Sequence, residues 1–331
     1  MNNQPVIVEE YRGGSLENTH QGVIVVINDK QEVLYEKGDI THSVFYRSAM
    51  KPIQAIPAFS TDIIEKYGLT QEEAALFTAS QRGEAYQEKA LLRLMEKLDI
   101  QEDLLVCQAS LPLNDEPKKA YVWEHKQERK LMHNCAGKHL GLLAYAREKG
   151  YDLKSYHDID HPLQQEILQH VSELSVTPKA DIKIGVDGCG VPVFSIPLKN
   201  MAVSYLKFAA PDLIADEKTQ TAVKKIGKAM HAHPEIVASH DFICTALLED
   251  PNIIAKGGAQ GVYCLSLIKE RISIALKVLS GSELVWPVLV AEILRKLNYD
   301  NEATMERLLA IRSKAILNDS GKPIGETKVL L

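Results

Sequence analysis

No block of lysine and arginine stands anywhere in the 331 residues, and the formal net charge is −6. A nucleic-acid or anionic-membrane partner, which needs a concentrated basic face, is therefore not expected. Long apolar runs are missing as well. The stretch from Leu284 to Leu294 is broken by Pro287 and Glu292 and is too short to span a bilayer. Met1 to Glu10 lacks the positive segment and apolar core of a secretory leader, so the expected compartment is the cytosol. Cysteine is scarce and odd in number. Five of them, Cys107, Cys135, Cys189, Cys244 and Cys264, at irregular spacings in a reducing compartment, predict free thiols or metal ligands rather than a disulfide framework. Internal repeats, low-complexity linkers and a clean domain boundary are also absent, which leads us to expect one unit over residues 5–331. What remains, 45% hydrophobic and 25% charged, is the composition of a soluble globular enzyme.

Both ends of the chain read as β-structure. Gly22 to Ile27, a turn at Asn28-Asp29-Lys30, and Glu32 to Glu36 predict one antiparallel hairpin, and Gly261 to Leu267 with Ile272 to Val278 predict another, followed by a helix from about Glu283 to Leu297. Between them the periodicity is helical over Gln71 to Ala79, Glu84 to Lys97, Gly137 to Lys149, His161 to Leu174 and Asp216 to His231, with one short strand at Ile182 to Val186. The expected fold class is α+β: an antiparallel sheet built from N- and C-terminal strands, flanked by helices, with a large helical insertion, in two lobes around a cleft.

Ser48-Ala49-Met50-Lys51 places a serine one helical turn ahead of a lysine, the minimal apparatus for attacking an acyl group. The spacing alone is weak, because Ser204 with Lys207 and Ser266 with Lys269 share it. Context separates them. Ser48 follows the loop Gly38 to His42 and precedes Pro52, a residue that suits the first turn of a helix, so free N–H groups and the helix dipole favour an alkoxide there. The other two serines lie in apolar runs and read as accidental. Without that context Ser48 would be an N-cap and Lys51 a solvated lysine.

Ser80-Gln81-Arg82 places a second hydroxyl at a break between two predicted helices, and Lys256-Gly257-Gly258 places a lysine beside two glycines just ahead of a strand. The layout resembles the Ser-x-x-Lys, Ser-x-Asn and Lys-Thr-Gly trio of penicillin-recognising serine enzymes, but Arg82 stands at the asparagine position and Gly257 at the hydroxyl position. The closer resemblance is to the thermolabile, rhizobial-type L-asparaginases and runs nearly end to end. Its signposts are Arg12-Gly13-Gly14 with Glu17 and His20, Arg47 to Pro52, Asn134-Cys135-Ala136-Gly137-Lys138-His139, Asp187 to Pro192, and His231 to Glu235.

The resemblance implies a serine β-lactamase-like fold, hydrolysis of L-asparagine to L-aspartate and ammonia, a homodimer, and two Ser/Lys pairs that map onto Ser48 with Lys51 and Ser80 with Lys256. Two ammonium groups in one desolvated cleft disfavour each other, so at least one lysine is expected to be neutral and able to act as a base. Lys51 would then deprotonate Ser48, while Ser80 and Lys256 pass a proton to the departing ammonia. The start of a helix favours Ser48 as nucleophile, although the sequence does not fix which serine attacks. Arg47 is the candidate for the substrate carboxylate, Asp187 with Gly188 for its ammonium, and His139 for a lesser contact. An Asp-Gly turn accounts for Asp187 equally well, and the His139 assignment is weaker still, since a histidine in the first turn of a helix is often just hydrogen-bonded packing.

The resemblance also implies a zinc ion held by Cys135, Lys138 and Cys189, with no organic cofactor. A lysine ligand must be deprotonated, and two thiolates fall short of a closed structural site, so zinc would orient or tune rather than supply hydroxide. Cys135 as a thiol nucleophile is a lesser alternative. Cys244 aligns with a family cysteine near the site but reads rather as a core thiol, and Cys107 and Cys264 read as packing. His231 and His233 are assigned no chemistry. Ala136 in place of a serine, Gln81-Arg82 in place of a smaller pair, and Gln260 in place of glutamate depart from the family pattern. A β-lactamase-like hydrolase on another small substrate and a catalytically silent amino-acid-binding protein therefore stay open.

Overall fold

Val23 to Ile27 is an unbroken apolar run, and a strand presenting apolar side chains to both faces must be covered on both. The computed structural model, which describes residues 4–331, shows this arrangement. The strands are β1 (Val6–Arg12), β2 (Ser15–Asn28) and β3 (Val33–Lys37) near the N-terminus, then β4 (Ser43–Phe45), β5 (Lys183–Val186) and β6 (Pro192–Pro197). The last group is β7 (Ile253–Gly258), β8 (Val262–Leu267), β9 (Ile272–Val278), β10 (Ala315–Leu317) and β11 (Pro323–Val329). Eight of them form one antiparallel sheet in the order β10-β11-β1-β2-β9-β8-β7, with β3 also on β2. A smaller sheet runs β4-β6-β5.

Alternate residues of β2 enter two separate cores. Val23, Val25 and Ile27 join the first, Ile24 and Val26 the second, and all five are fully buried. Burying each such side chain stabilises the fold by about 1.5–3 kcal/mol. The first core is roofed by the helix Leu198–Ala209 and filled by helices of the middle of the chain; the second lies under Ile243–Leu248, Trp286–Lys296 and Glu302–Ile311. The fold is therefore α+β with strands from both termini in one sheet and helices inserted between them, as expected.

The helical insertion follows the sequence pattern closely. Ala85–Leu98 buries Gln87, Ala90, Leu91, Leu94 and Leu98, and Glu217–Ala232 starts where the Asp216 carboxylate accepts the Thr219 N–H and ends ahead of Pro234. Ala136–Glu148 is buried from Ala136 to Ala146 and sits centrally. Two glycines allow this: a Cβ at Gly137 would lie 2.4 Å from the Leu76 carbonyl oxygen, and one at Gly141 would lie 2.7 Å from the Phe77 ring.

Several local expectations are corrected. The helix expected over Gln71 to Ala79 is Gln71–Ala75 followed by a 3-10 turn, Leu76–Thr78. Glu17 and His20 lie in β2, and Arg12 pairs with Glu17. Lys256 is inside β7 rather than ahead of a strand, and the helix expected from Glu283 starts at Trp286, a residue followed by Pro287. Among the described residues all five cysteines are free and buried, and no helix is long and apolar enough to cross a membrane.

Candidate active site

Ser48 lies in a 3-10 turn, Arg47–Met50, that leads into a short helix, Lys51–Gln54, with Pro52 in its first turn. Arg47 enters that turn at φ 50°, a left-handed conformation that a non-glycine residue adopts only when its surroundings hold it. Those surroundings are specific. The Tyr205 hydroxyl donates to the Ala49 carbonyl at 2.6 Å, and the Tyr46 hydroxyl donates to Ser204 at 2.8 Å. On the other side, β7 comes so close that a Cβ at Gly258 would meet the Tyr46 oxygen at 2.4 Å and the Ala49 nitrogen at 3.1 Å. Ser204 thus supports the turn from the core, and Ser266 is buried within β8.

Ser80 sits in the non-helical segment after Ala79, its N–H donating to the Val237 carbonyl. Gln81 fixes this segment through its side-chain amide, which donates to the carbonyls of Leu131, Met132 and His133. The Ser80 hydroxyl stands between two amines: Lys51 Nζ and Lys256 Nζ each donate to its Oγ at 2.9 Å. Lys51 also donates to the carbonyls of Ala79 and Asn134, at 2.6 and 3.2 Å, and Lys256 to that of Gly257 at 3.0 Å. Among the described residues no hydrogen bond joins the Ser48 hydroxyl to the Lys51 amine; the two residues meet through the backbone, where the Lys51 N–H donates to the Ser48 carbonyl. The pairing differs from the one inferred from spacing, because the Lys51 side chain reaches past its own turn to the loop of Ser80.

Ser48, Ser80 and Lys256 line one cleft of about 290 Å³ with Arg82, Leu113, Asn134, Phe242, Gly257, Gly258, Ala259, Glu283 and Trp286. Burial lowers both lysines, Lys256 to about 8. For Lys51 the nearby Cys135 sulfur opposes that shift, and the Lys138 ammonium adds to it. Both amines are thus poised to exchange a proton with a hydroxyl.

Cys135, Lys138 and Cys189 come together next to Lys51. Lys138 Nζ donates to Cys189 Sγ at 2.9 Å. The hydrogen bond from Cys189 holds the Cys135 thiol well below its usual range against the effect of burial, helped by Lys51 and Lys138. The same contact and burial push Cys189 up. Burial works to lower Lys138, yet the two sulfurs outweigh it and hold the ammonium above the usual lysine range. Among the described residues no cluster of three or more His, Cys, Asp or Glu could hold a metal. The donor set here is two sulfurs and one amine, a set that fits zinc provided Lys138 gives up its proton.

The expected substrate contacts are arranged differently. Arg47 Nε donates to Asp187 Oδ1 at 2.7 Å, and the Gly188 N–H donates to the same oxygen at 2.9 Å. His139 is fully buried; its Nδ1 is 2.6 Å from the Tyr156 hydroxyl, and burial with the neighbouring Lys138 charge keeps it neutral. None of these residues is among those lining the cleft around Ser80. Residues that the sequence reading did not single out, Glu283, Phe242 and Trp286, do line it. Only Glu283 had a visible signal, as a carboxylate at the edge of a predicted helix.

Solved structures similar to this chain include a class C β-lactamase (12% identity, 87% of this chain and 90% of that one, TM-score 0.45). A β-lactamase from Mycobacterium bovis has 12% identity over 83% of this chain and 94% of that one, with a TM-score of 0.39. A Bacillus glutaminase has 14% identity over 85% and 92%, with a TM-score of 0.40. No curated protein matches the chain. The family model described as L-asparaginase II matches residues 8–329, which include every residue of the cleft and of the sulfur cluster beside it. On that near-complete match, the chain belongs to the L-asparaginase II family.

Proposed function

We propose that this protein is an amide hydrolase that cleaves L-asparagine to L-aspartate and ammonia through an acyl-enzyme. The observation that carries the reading is the Ser80 hydroxyl held 2.9 Å from two buried amines in a cleft that also contains Ser48. Ser48, on a turn braced by Tyr205 and Gly258, attacks the side-chain amide carbon. Its proton passes to a neutral lysine, and Ser80 with Lys51 and Lys256 delivers a proton to the leaving nitrogen, so that ammonia departs and an aspartyl ester remains. Water then hydrolyses the ester.

A second reading makes Ser80 the attacking group, favoured by the same double contact. The two are separated by trapping the ester and locating the modified serine by mass spectrometry. The function itself is tested by ammonia release from L-asparagine, L-glutamine and buffer blanks with the parent, Ser48→Ala and Ser80→Ala proteins. Turnover of L-asparagine that either alanine variant lowers by at least about 100-fold supports the reading. Wild-type rates in both variants end it.

Zinc remains part of the proposal, with Cys135, Lys138 and Cys189 as the residues that would hold it; when bound it would supply a Lewis acid beside the cleft. A homodimer is likewise proposed and is tested by light scattering. We propose likewise that residues 5–331 form a single catalytic domain of two lobes.

A further inference from the structure

A free α-amino acid brings one carboxylate and one ammonium into a binding site, and neither is desolvated cheaply without a partner. The Arg47 and Asp187 side chains, first candidates for the task, are joined to each other. Among the residues lining the cleft the charged ones are Arg82, Lys256 and Glu283, and Lys256 is engaged with Ser80 and the Gly257 carbonyl.

Arg82 is built for reception. Its Nε donates to Asn114 Oδ1 at 2.5 Å, Asn114 donates in turn to Glu84 Oε1 at 2.6 Å, and the guanidinium lies over the Phe242 ring at 4.6 Å. Its backbone N–H is held by Gln87 Oε1 at 2.8 Å. The fork is thus fixed at one nitrogen and one face, while among the described residues its two terminal nitrogens donate to no protein acceptor. A planar fork with two free donors matches a carboxylate.

Glu283 is the complementary group. Among the described residues it makes no ion pair within 4.0 Å, although Arg82 and Lys256 are close enough to act on it electrostatically and the Gln260 N–H reaches its carboxylate. A carboxylate kept in a cleft without a cation in contact is a receptor for one. The cleft, at about 290 Å³, lies at the lower end of small-ligand sites and suits a single amino acid better than a peptide.

We propose that Arg82 and Glu283 form the head-group clamp of this cleft, Arg82 taking the α-carboxylate and Glu283 the α-ammonium of a free α-amino acid whose side-chain amide faces the two serines. For turnover this rests on the amide-hydrolase reading; for binding it does not. Arg82, at the position where the family pattern has a smaller residue, then narrows the substrate class to amides that carry a carboxylate.

The test uses the full chain and its Arg82→Met and Glu283→Gln variants with three amides: L-asparagine, succinamic acid, which lacks the ammonium, and 3-aminopropanamide, which lacks the carboxylate. Each variant is expected to lose about 10- to 100-fold in kcat/KM on L-asparagine, the factor a charge-assisted hydrogen bond supplies. Glu283→Gln should leave succinamic acid unchanged, and Arg82→Met should leave 3-aminopropanamide unchanged. Equal losses on all three amides, or no loss on L-asparagine, overturn the clamp. Arg82→Lys, which keeps the charge but not the fork, should recover part of the loss and guards against misfolding of Arg82→Met. In parallel, calorimetric titration with L-aspartate reads binding alone. Binding by the parent that both variants weaken at least tenfold, without turnover of any amide, leaves the clamp standing and removes the hydrolase reading. Absence of L-aspartate binding, or binding unchanged in the variants, overturns the clamp.

Discussion

Arg47 and Asp187, 140 positions apart in sequence, are locked to each other by one ion pair, Arg47 Nε to Asp187 Oδ1 at 2.7 Å, on the turn that presents Ser48. The Arg47 side chain is 29% exposed and that of Asp187 11%, so the pair is only partly screened by solvent. Its first task is to hold a left-handed residue in place. Arg47→Ala and Asp187→Ala should each cost about 1–2 kcal/mol of stability, and the double variant should cost clearly less than the sum, because each single change leaves a partly buried charge unpaired. Chemical denaturation of the four proteins checks this; strict additivity would mean the pair contributes no coupling.

The pH dependence follows from Lys256, which burial brings down to about 8. An amine that must be neutral to accept a proton gains activity as pH rises, so kcat/KM should climb through about pH 8 and level above it. Stability has the same sign. The folded value lies below the ordinary value of 10.5, so the folded protein binds fewer protons between those two values. The penalty of a buried charge is therefore fully present below about pH 8 and is relieved as pH rises towards 10.5. Lys256→Met should lose at least about 100-fold in kcat and flatten both dependences. A variant that keeps the limb near pH 8 would assign it elsewhere.

Gly258 is where β7 touches the Ser48 turn. Gly258→Ala sets a methyl 2.4 Å from a backbone oxygen, which cannot rotate away as a side chain would. We expect a loss of about 1–3 kcal/mol in urea unfolding and a larger change in kcat than in KM, since the displaced Tyr46 and Ala49 backbone atoms flank Ser48, the proposed nucleophile. A Cβ at Gly188 meets nothing within 4 Å, and Gly188→Ala should change stability by no more than about 0.5 kcal/mol.

The sulfur cluster makes a metal prediction. Protein purified with zinc should hold about one ion per chain by elemental analysis, and Cys189→Ala should release it, while leaving secondary structure unchanged. Retention of the metal in Cys189→Ala would place the ion elsewhere.

Much of this arrangement could be read from residue patterns, and the reasons are local. The apolar run Val23 to Ile27 and the Asp216 to Pro234 helix boundaries are set by neighbours in the chain, so they were legible. Strands β1, β4, β6, β7, β10 and β11 were not; Pro323 to Val329, for one, offers few apolar residues and is a strand through its partner β1. At the site, the residue types Ser48, Lys51, Ser80 and Lys256 were visible, while their partnership was not. Lys51 meets Ser80 because the chain returns to the Ser48 turn 29 residues later, a contact that local spacing does not reveal. Glu283 went unremarked for the same reason: only the folded cleft brings it near Arg82.

The sheet that separates the two cores has a mechanical consequence. Because β2, β7 and β8 wall both sides at once, neither core can open without wetting the other, so heat should melt the helices around Ser48 and those beneath Trp286 in a single cooperative step. A ligand lodged against β7 would then raise the melting temperature of the entire chain, including segments far from anything it touches.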